Sequence, residues 1–432
     1  LSNVLIVGDG PAAQRLVARM RHGLPSPPTV QIHAASAVTG IDRGQRQVRA
    51  RVRGTEATCS YDTLVIAPEA RPLIPDIPGL VDAAGELTDG VVALGTAAAA
   101  MPRVVGDDVV VLGDGPLAVE TASALAARPG NTTLVCSTPQ PLSTHLGETC
   151  GGMLSEQLEQ AGVTVIAGKT AVRHGPGHLC LEDGTTLPAA TLVLCGGAAP
   201  DNRLARAAGL NVHDGTVVDD QLRTSDPHIH AIGDCAEHNG QVMAGPSAAL
   251  EQAETLADIL TGRAAAYRPR PAALRLRTAA ADVCVIGSLV DLHQPGTRLI
   301  SLTDRVNRRY ARLGLRDECV VAAVLFGLPQ AIATIGQLHR RRHRLPSDRL
   351  GLLLDLPPAS DDTAVNENAP ICLCNNVSKQ TLFQAWQAGS RTITALTEAT
   401  RATTGCGGCS QSVGELCGLW ARETRYEGEK AS

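Results

Sequence analysis

The sequence predicts an α/β fold: two nested doubly wound domains, a following α+β domain and a small helical Cys-rich module. Three observations carry this. Twice an apolar run passes through a Gly-x-Gly turn into a helical pattern, at residues 3–21 and again at 109–127. Short runs rich in Val, Leu and Ile alternate with helical segments as far as about residue 265, which implies mainly parallel pairing. Beyond that the spacing changes to strand alternation, and four cysteines gather near the end as Cys372, Cys374, Cys406 and Cys409.

Length and composition bound the reading. At 432 residues the chain is long enough for several buried cores. Its 38 Lys+Arg against 43 Asp+Glu leave a net charge of −5, with no general field for nucleic acid or an anionic membrane, so neither is expected as a partner. Apolar stretches break well short of the roughly 20 residues that span a bilayer. No basic segment precedes an apolar core at the N-terminus, so a soluble, cytoplasmic protein is expected. Nine of the thirteen cysteines are scattered and are expected to be reduced and mostly buried.

In order along the chain, residues 4–7 form the first strand, and Gly8-Asp9-Gly10-Pro11-Ala12-Ala13 fits G-x-G-x-x-A before a helix. Residues 109–112 form a second such strand, and Gly113-Asp114-Gly115-Pro116-Leu117-Ala118 repeats the turn, with Glu120 in an Ala-rich helix closed by Pro129-Gly130. In each copy the first Gly turns tightly, the second lets backbone approach a pyrophosphate, and the small last residue packs helix on strand. Such turns can also join strand to helix with no ligand bound. Further strands are read at 63–67, 133–136, 163–167, 192–195 and 229–232. From 266 to 355 strands such as 283–286 and 319–326, with a helix near 329–339, read as a separate α+β domain. Residues 356–369 read as a linker, 370–422 as a compact Cys-bearing module and 423–432 as a frayed polar tail.

The run 224–236 is an apolar strand ending at Gly233-Asp234, where a carboxylate can accept hydrogen bonds from ribityl hydroxyls. With the two glycine turns it resembles the pyridine nucleotide-disulfide oxidoreductase fold over about residues 1–350. Tyr61-Asp62-Thr63-Leu64-Val65-Ile66-Ala67, Ile77-Pro78-Gly79, Gly197-Ala198-Ala199-Pro200-Asp201 and the helix containing Glu251-Gln252-Ala253 add to the resemblance. It implies FAD at Gly8, Gly10, Ala13, Gly233 and Asp234, and NAD(P)H at Gly113, Gly115, Ala118, Glu120 and Gly197. The implied domains are an FAD-binding domain in two parts, 1–103 (shortened) and 201–265, around an NAD(P)H-binding domain, 104–200.

The chain departs from that family in four places. The segment 29–33 runs into 34–41 with no acid for the adenosine ribose and no room for the segment that builds the flavin ring pocket. Glu69 replaces the usual Gly after Ala67-Pro68, which puts a charge where backbone approaches the cofactor. The strand after the second turn ends in Cys136-Ser137-Thr138, with neither the acid that favours NADH nor an Arg for a 2′-phosphate, so nucleotide choice stays open with a slight leaning to NADH. Cys59 is solitary, so no redox disulfide is assigned.

Cys372-Leu373-Cys374 and Cys406-Gly407-Gly408-Cys409 place four thiolates on two short loops, a donor set for an iron–sulfur cluster or a tetrahedral zinc. Two helices lie between the pairs, at 378–388 and 393–399, each opened by Ser or Thr as an N-cap. With Asn375, Asn376 and Thr404-Gly405 the segment resembles the bacterioferritin-associated ferredoxin-like (BFD-like) [2Fe-2S] domain, which implies a [2Fe-2S] cluster on the four cysteines.

The order of flavin fold, α+β domain and this module is similar to the NADH-oxidising half of bacterial assimilatory nitrite reductase large subunits, and to electron-transfer subunits of assimilatory nitrate reductases. Residues 310–327 echo the middle domain. The resemblance implies hydride transfer from NAD(P)H to FAD, then single electrons through the cluster to a redox partner protein that carries the nitrate or nitrite reductase centre, because the sirohaem-binding region has no counterpart here. No general acid or base is required, and a homodimer is allowed. Two alternatives stay open: a reductase for a monooxygenase or rubredoxin-like acceptor, and a flavin-less regulatory or scaffold subunit. His228 and His230 read as structural, and His238 receives no role. The basic run 339–344 reads as a solvated helix end or as a docking patch.

Overall fold

The structure is a computed structural model that describes residues 3–21, 29–33, 38–52, 55–95, 103–243, 245–269, 273–279, 281–346, 349–353, 370–372, 377–403 and 409–430. The chain forms two compact units. One comprises Leu1–Thr121, Gly130–Ser137 and Lys169–Arg270; the other comprises Ala122–Pro129, Thr138–Gly168 and Pro271–Ser432.

The first unit contains a four-stranded parallel sheet in the order Ile229–Ala231, Thr63–Ile66, Asn3–Val7, Thr29–His33. Its two central strands are nearly continuous apolar runs, as expected of a sheet covered on both faces; Val4, Leu5, Ile6 and Val7 are all fully buried, and Leu64, Val65 and Ile66 nearly so. Helix Pro11–Arg21 buries Ala12, Ala13, Leu16, Val17 and Met20, the stripe that its i, i+4 spacing predicts. Helix Pro246–Leu260 contributes Ala249, Ala253, Leu256 and Ala257 to the same core. Arg15 and Arg19 of the first helix both pair with Glu254 of the second. Four further parallel strands lie in the order Asn131–Cys136, Asp108–Leu112, Thr191–Leu194, Val91–Ala93. Ala198–Ala199 pairs with Arg71–Pro72, and the Leu73 N–H donates to the Gly197 carbonyl at 2.9 Å. A three-stranded antiparallel meander, Val38–Asp42, Gln47–Val52 and Thr55–Ser60, was not legible in the sequence.

The second unit contains a five-stranded antiparallel sheet in the order Ala273–Arg277, Asp282–Ile286, Cys319–Phe326, Arg309–Arg316, Arg298–Asp304. Helix Pro329–Arg341 sets Ala331, Ile332 and Ile335 into one core with Leu313 and Leu325, which is the α+β arrangement expected. That helix ends at Arg342 in a left-handed conformation, φ 53°, so the basic run does lie at a helix end. The same unit holds the module: a hairpin of Pro370–Cys372 and Val377–Ser378, then helices Lys379–Gln387, Ile393–Thr400 and Ser410–Lys430. Both expected N-caps are present, Ser378 accepting from the Thr381 N–H and Thr392 from the Ala395 N–H, each at 3.1 Å. The expected frayed tail at 423–432 is corrected: the helix continues to Lys430, because Ala421, Arg422, Glu423 and Arg425 are good helix formers with no proline to stop them. The expected linker 356–369 lies outside the described residues. Among the described residues no helix is long and apolar enough to cross a membrane.

Candidate functional site

Of the five expected residues, Gly10, Gly233 and Asp234 line one cleft, together with Pro11, Ala12, Ala67, Pro68, Glu69, Gly245 and Ala249; Gly8 and Ala13 belong to the same turn and helix start but do not line it. The two apolar strands bring this about: Val7 and Ile66 are paired neighbours, so the turns that follow them emerge side by side. Gly8 cannot be replaced there. A Cβ on it would stand 2.0 Å from the Ala67 carbonyl oxygen. Ala13 is fully buried beneath the turn, where a small residue lets helix approach strand. Helix Pro11–Arg21 starts at the cleft and helix Pro246–Leu260 starts beside Gly245, so two sets of unpaired backbone N–H groups border it.

Gly233 and Asp234 form a 3-10 turn held from two sides. The Gly233 N–H donates to Oε1 of Gln252 at 2.6 Å, and Gln252, fully buried, donates in turn to the Tyr267 hydroxyl at 3.3 Å. Oδ1 of Asp234 accepts from the Gly245 N–H at 2.8 Å. Gln252 is the site residue whose part the sequence did not disclose; the signal is an amide among the buried Ala249, Ala253 and Leu256 of one helical face.

Glu69 opposes this arrangement. Its side chain packs over Gly10, so that a Cβ on Gly10 would meet Cγ of Glu69 at 2.7 Å and Oε1 at 2.9 Å. Burial raises its carboxyl above the usual range, and the charges of Asp9 and Asp234 raise it further. The cleft therefore brings together glycine backbone, the Asp234 carboxylate and the Glu69 carboxylate packed over Gly10.

Gly113, Gly115, Ala118, Glu120 and Gly197 form a second group. The Gly113 N–H donates to the Val135 carbonyl at 3.0 Å, and a Cβ on Gly113 would stand 2.5 Å from the Cys195 carbonyl oxygen, the same close approach as at Gly8. A Cβ on Gly115 would meet nothing within 4 Å, so this backbone is open to a ligand. Ala118 is fully buried, and burial raises the carboxyl of Glu120 above its usual range. Gly197 follows the strand Thr191–Leu194, which pairs with Asp108–Leu112, and so lies on the same edge as the turn. Ser137, just past the neighbouring strand, donates from its hydroxyl to Oδ2 of Asp114 at 2.8 Å.

In the module, Cys372 and Cys409 are buried members of one core with Val377, Leu382, Trp386, Leu396, Val413 and Trp420. Cys409 precedes helix Ser410–Lys430, and the Thr403 N–H donates to its Sγ at 3.2 Å. A buried sulfur that accepts from backbone and faces a helix N-terminus suits a negatively charged ligand to iron. Cys374 and Cys406 lie outside the described residues. Of the scattered cysteines, Cys136, Cys150, Cys195, Cys235 and Cys284 are buried, as expected of most of them, and Cys59, Cys180, Cys319 and Cys417 half-buried. His230 is buried, with Nδ1 bonded to the Gln221 carbonyl at 3.2 Å, and His238 is buried with Nε2 on Asp220 at 2.8 Å. His228 meets Arg46 outside the strand.

Comparison with known proteins matches residues 25–253 to the family described as pyridine nucleotide-disulphide oxidoreductase, and residues 370–417 to the BFD-like [2Fe-2S] binding domain. The nitrite reductase [NAD(P)H] large subunit of Klebsiella oxytoca is 29% identical over 418 residues, 93% of this chain and 43% of that protein. The assimilatory nitrate reductase electron transfer subunit of Bacillus subtilis strain 168 is 27% identical over 409 residues, 90% of this chain and 50% of that protein. The chain thus spans about half the length of these relatives. Putidaredoxin reductase, solved in covalent complex with putidaredoxin, shares the fold at a TM-score of 0.64 and 22% identity, over 82% of this chain and 95% of that one. The two domain matches imply FAD, NAD(P)H and a [2Fe-2S] cluster as cofactors.

Proposed function

We propose, from the premise that the chain belongs to the pyridine nucleotide-disulphide oxidoreductase family, that it carries electrons from NAD(P)H to a partner protein holding the acceptor of assimilatory nitrate or nitrite reduction. The observation that carries this reading is the joining in one chain of the family match to a BFD-like match, in an arrangement that aligns over 93% of this chain with a nitrite reductase large subunit. When bound, the cofactors supply the redox chemistry: hydride from the nicotinamide to FAD, and single electrons onward through the cluster.

The chain's own residues bind and orient. Gly8 and Gly10 bring backbone N–H groups of a helix start to the FAD diphosphate, over Ala13. Gly233 and Asp234, fixed by Gln252 and Gly245, offer a carboxylate to the ribityl hydroxyls. Gly113, Gly115 and Ala118 receive the NAD(P)H diphosphate, with Glu120 and Gly197 bordering the same site. Cys372, Cys374, Cys406 and Cys409 hold the iron, and the Thr403 N–H on Cys409 Sγ lowers the cost of negative charge there. The domain limits at 103, 200, 265 and 355 belong to this reading. None of these roles needs a general acid or base.

The test separates the two cofactor sites. Full-length protein loaded with FAD and iron–sulfur should oxidise NADH with ferricyanide, and NADH should generate the electron paramagnetic resonance of a reduced cluster. Cys372→Ser should keep the first and lose the second. A loaded wild type that leaves NADH untouched overturns the reading.

A further inference from the structure

In doubly wound nucleotide domains a carboxylate at the end of the second strand holds the adenosine ribose and repels a 2′-phosphate. That strand here, Asn131–Cys136, ends without one. Cys136 is fully buried and its Sγ donates to the Gly113 carbonyl at 3.4 Å. Burial, and then the nearby charge of Asp114, push its thiol up to about 12, so it stays neutral. The position just beyond it belongs to Ser137, which is exposed.

The turn supplies the carboxylate by another route. Asp114 is the middle residue of Gly113-Asp114-Gly115, and its Oδ2 accepts the Ser137 hydroxyl at 2.8 Å. A neutral hydroxyl fixes the carboxylate between turn and strand end without neutralising it. We propose that Asp114, positioned by Ser137, replaces the missing strand-end acid, bonding the ribose hydroxyls of NADH and excluding the 2′-phosphate of NADPH. This rests on the reading that the second glycine turn binds a pyridine nucleotide. Contact between two anions at this turn lies inside the screening length of about 8 Å at physiological salt, so ions do not erase the repulsion. The first turn repeats the device in sequence, with Asp9 between Gly8 and Gly10 and a strand, Thr29–His33, that also ends without an acid.

The test is the ratio of dissociation constants for NADH and NADPH, read from nicotinamide fluorescence on the full-length chain as wild type, D114N and S137A. Wild type should favour NADH by about tenfold or more, the worth of one hydrogen bond to a charged group. D114N should bring the ratio close to one, chiefly by tightening NADPH, and S137A should move it part of the way. Tight binding with the ratio unchanged in D114N and S137A, or a wild type that prefers NADPH, overturns this proposal alone. Failure of wild type to bind either nucleotide overturns it together with the reading beneath it. S137A leaves the turn backbone untouched and decides the matter if D114N does not fold.

Discussion

Glu69 shows how one side chain can set the grip of a cofactor site. It covers Gly10 at the point where a glycine normally leaves room, and it adds a third carboxylate near Asp9 and Asp234. Glu69→Gly should tighten FAD binding by about tenfold, the scale of one unfavourable charge contact, as measured by quenching of flavin fluorescence. The sign with pH follows. Its carboxyl is raised, so it gains a proton early on acidification, and the neutral form opposes a diphosphate less. Wild-type FAD affinity should therefore rise as pH falls, and E69Q should remove that component; an E69Q protein with the wild-type pH profile would show that Glu69 is not the group. Gln252 acts on the neighbouring turn. Gln252→Leu leaves the Gly233 N–H buried and unpaired and should cost about 1–3 kcal/mol in denaturant unfolding. His230 adds a pH term to stability: burial lowers its pKa from 6.5 to about 4, so the unfolded chain takes up protons that the fold resists. The stability it contributes is complete above 6.5 and is lost as pH falls from 6.5 toward 4, and His230→Asn should flatten that part of the curve.

At the scale of elements, legibility followed burial. The parallel strands could be read because both their faces are covered, which writes continuous Val, Leu and Ile runs such as Val4 to Val7. The meander 38–60 is harder to read: its outer strands mix Thr, Asp, Glu and Ser with few apolar residues, although the middle strand Gln47–Val52 alternates and buries Val48 and Ala50. Helix starts were legible where a hydroxyl caps them. Ser378→Ala and Thr392→Ala should each lower the module's stability by about 1 kcal/mol, read as a lower melting temperature. The polar composition beyond residue 422 reads as fraying, yet the helix runs to Lys430, because Glu and Arg are good helix formers. For the candidate site, the glycines and cysteines announced themselves through spacing. The Ser137–Asp114 and Gln252–Gly233 bonds join residues 23 and 19 positions apart, and only the fold places them together.

At the scale of the whole molecule, one chain joins a region matched to the pyridine nucleotide-disulphide oxidoreductase family at 25–253 to a BFD-like [2Fe-2S] match at 370–417. Each has a feature that could silence it, Glu69 at the flavin cleft and the suitability of four thiolates for zinc. Both are decided by an anaerobic absorbance titration of the full-length protein, reconstituted with FAD, iron and sulfide, against NADH, with metal analysis of the same sample. The expected result is bound flavin and iron in place of zinc, with both the flavin and the iron–sulfur absorbance bleaching as NADH is added. A protein that retains no flavin, holds zinc on its C-terminal thiolates and shows no change with NADH would contradict the account.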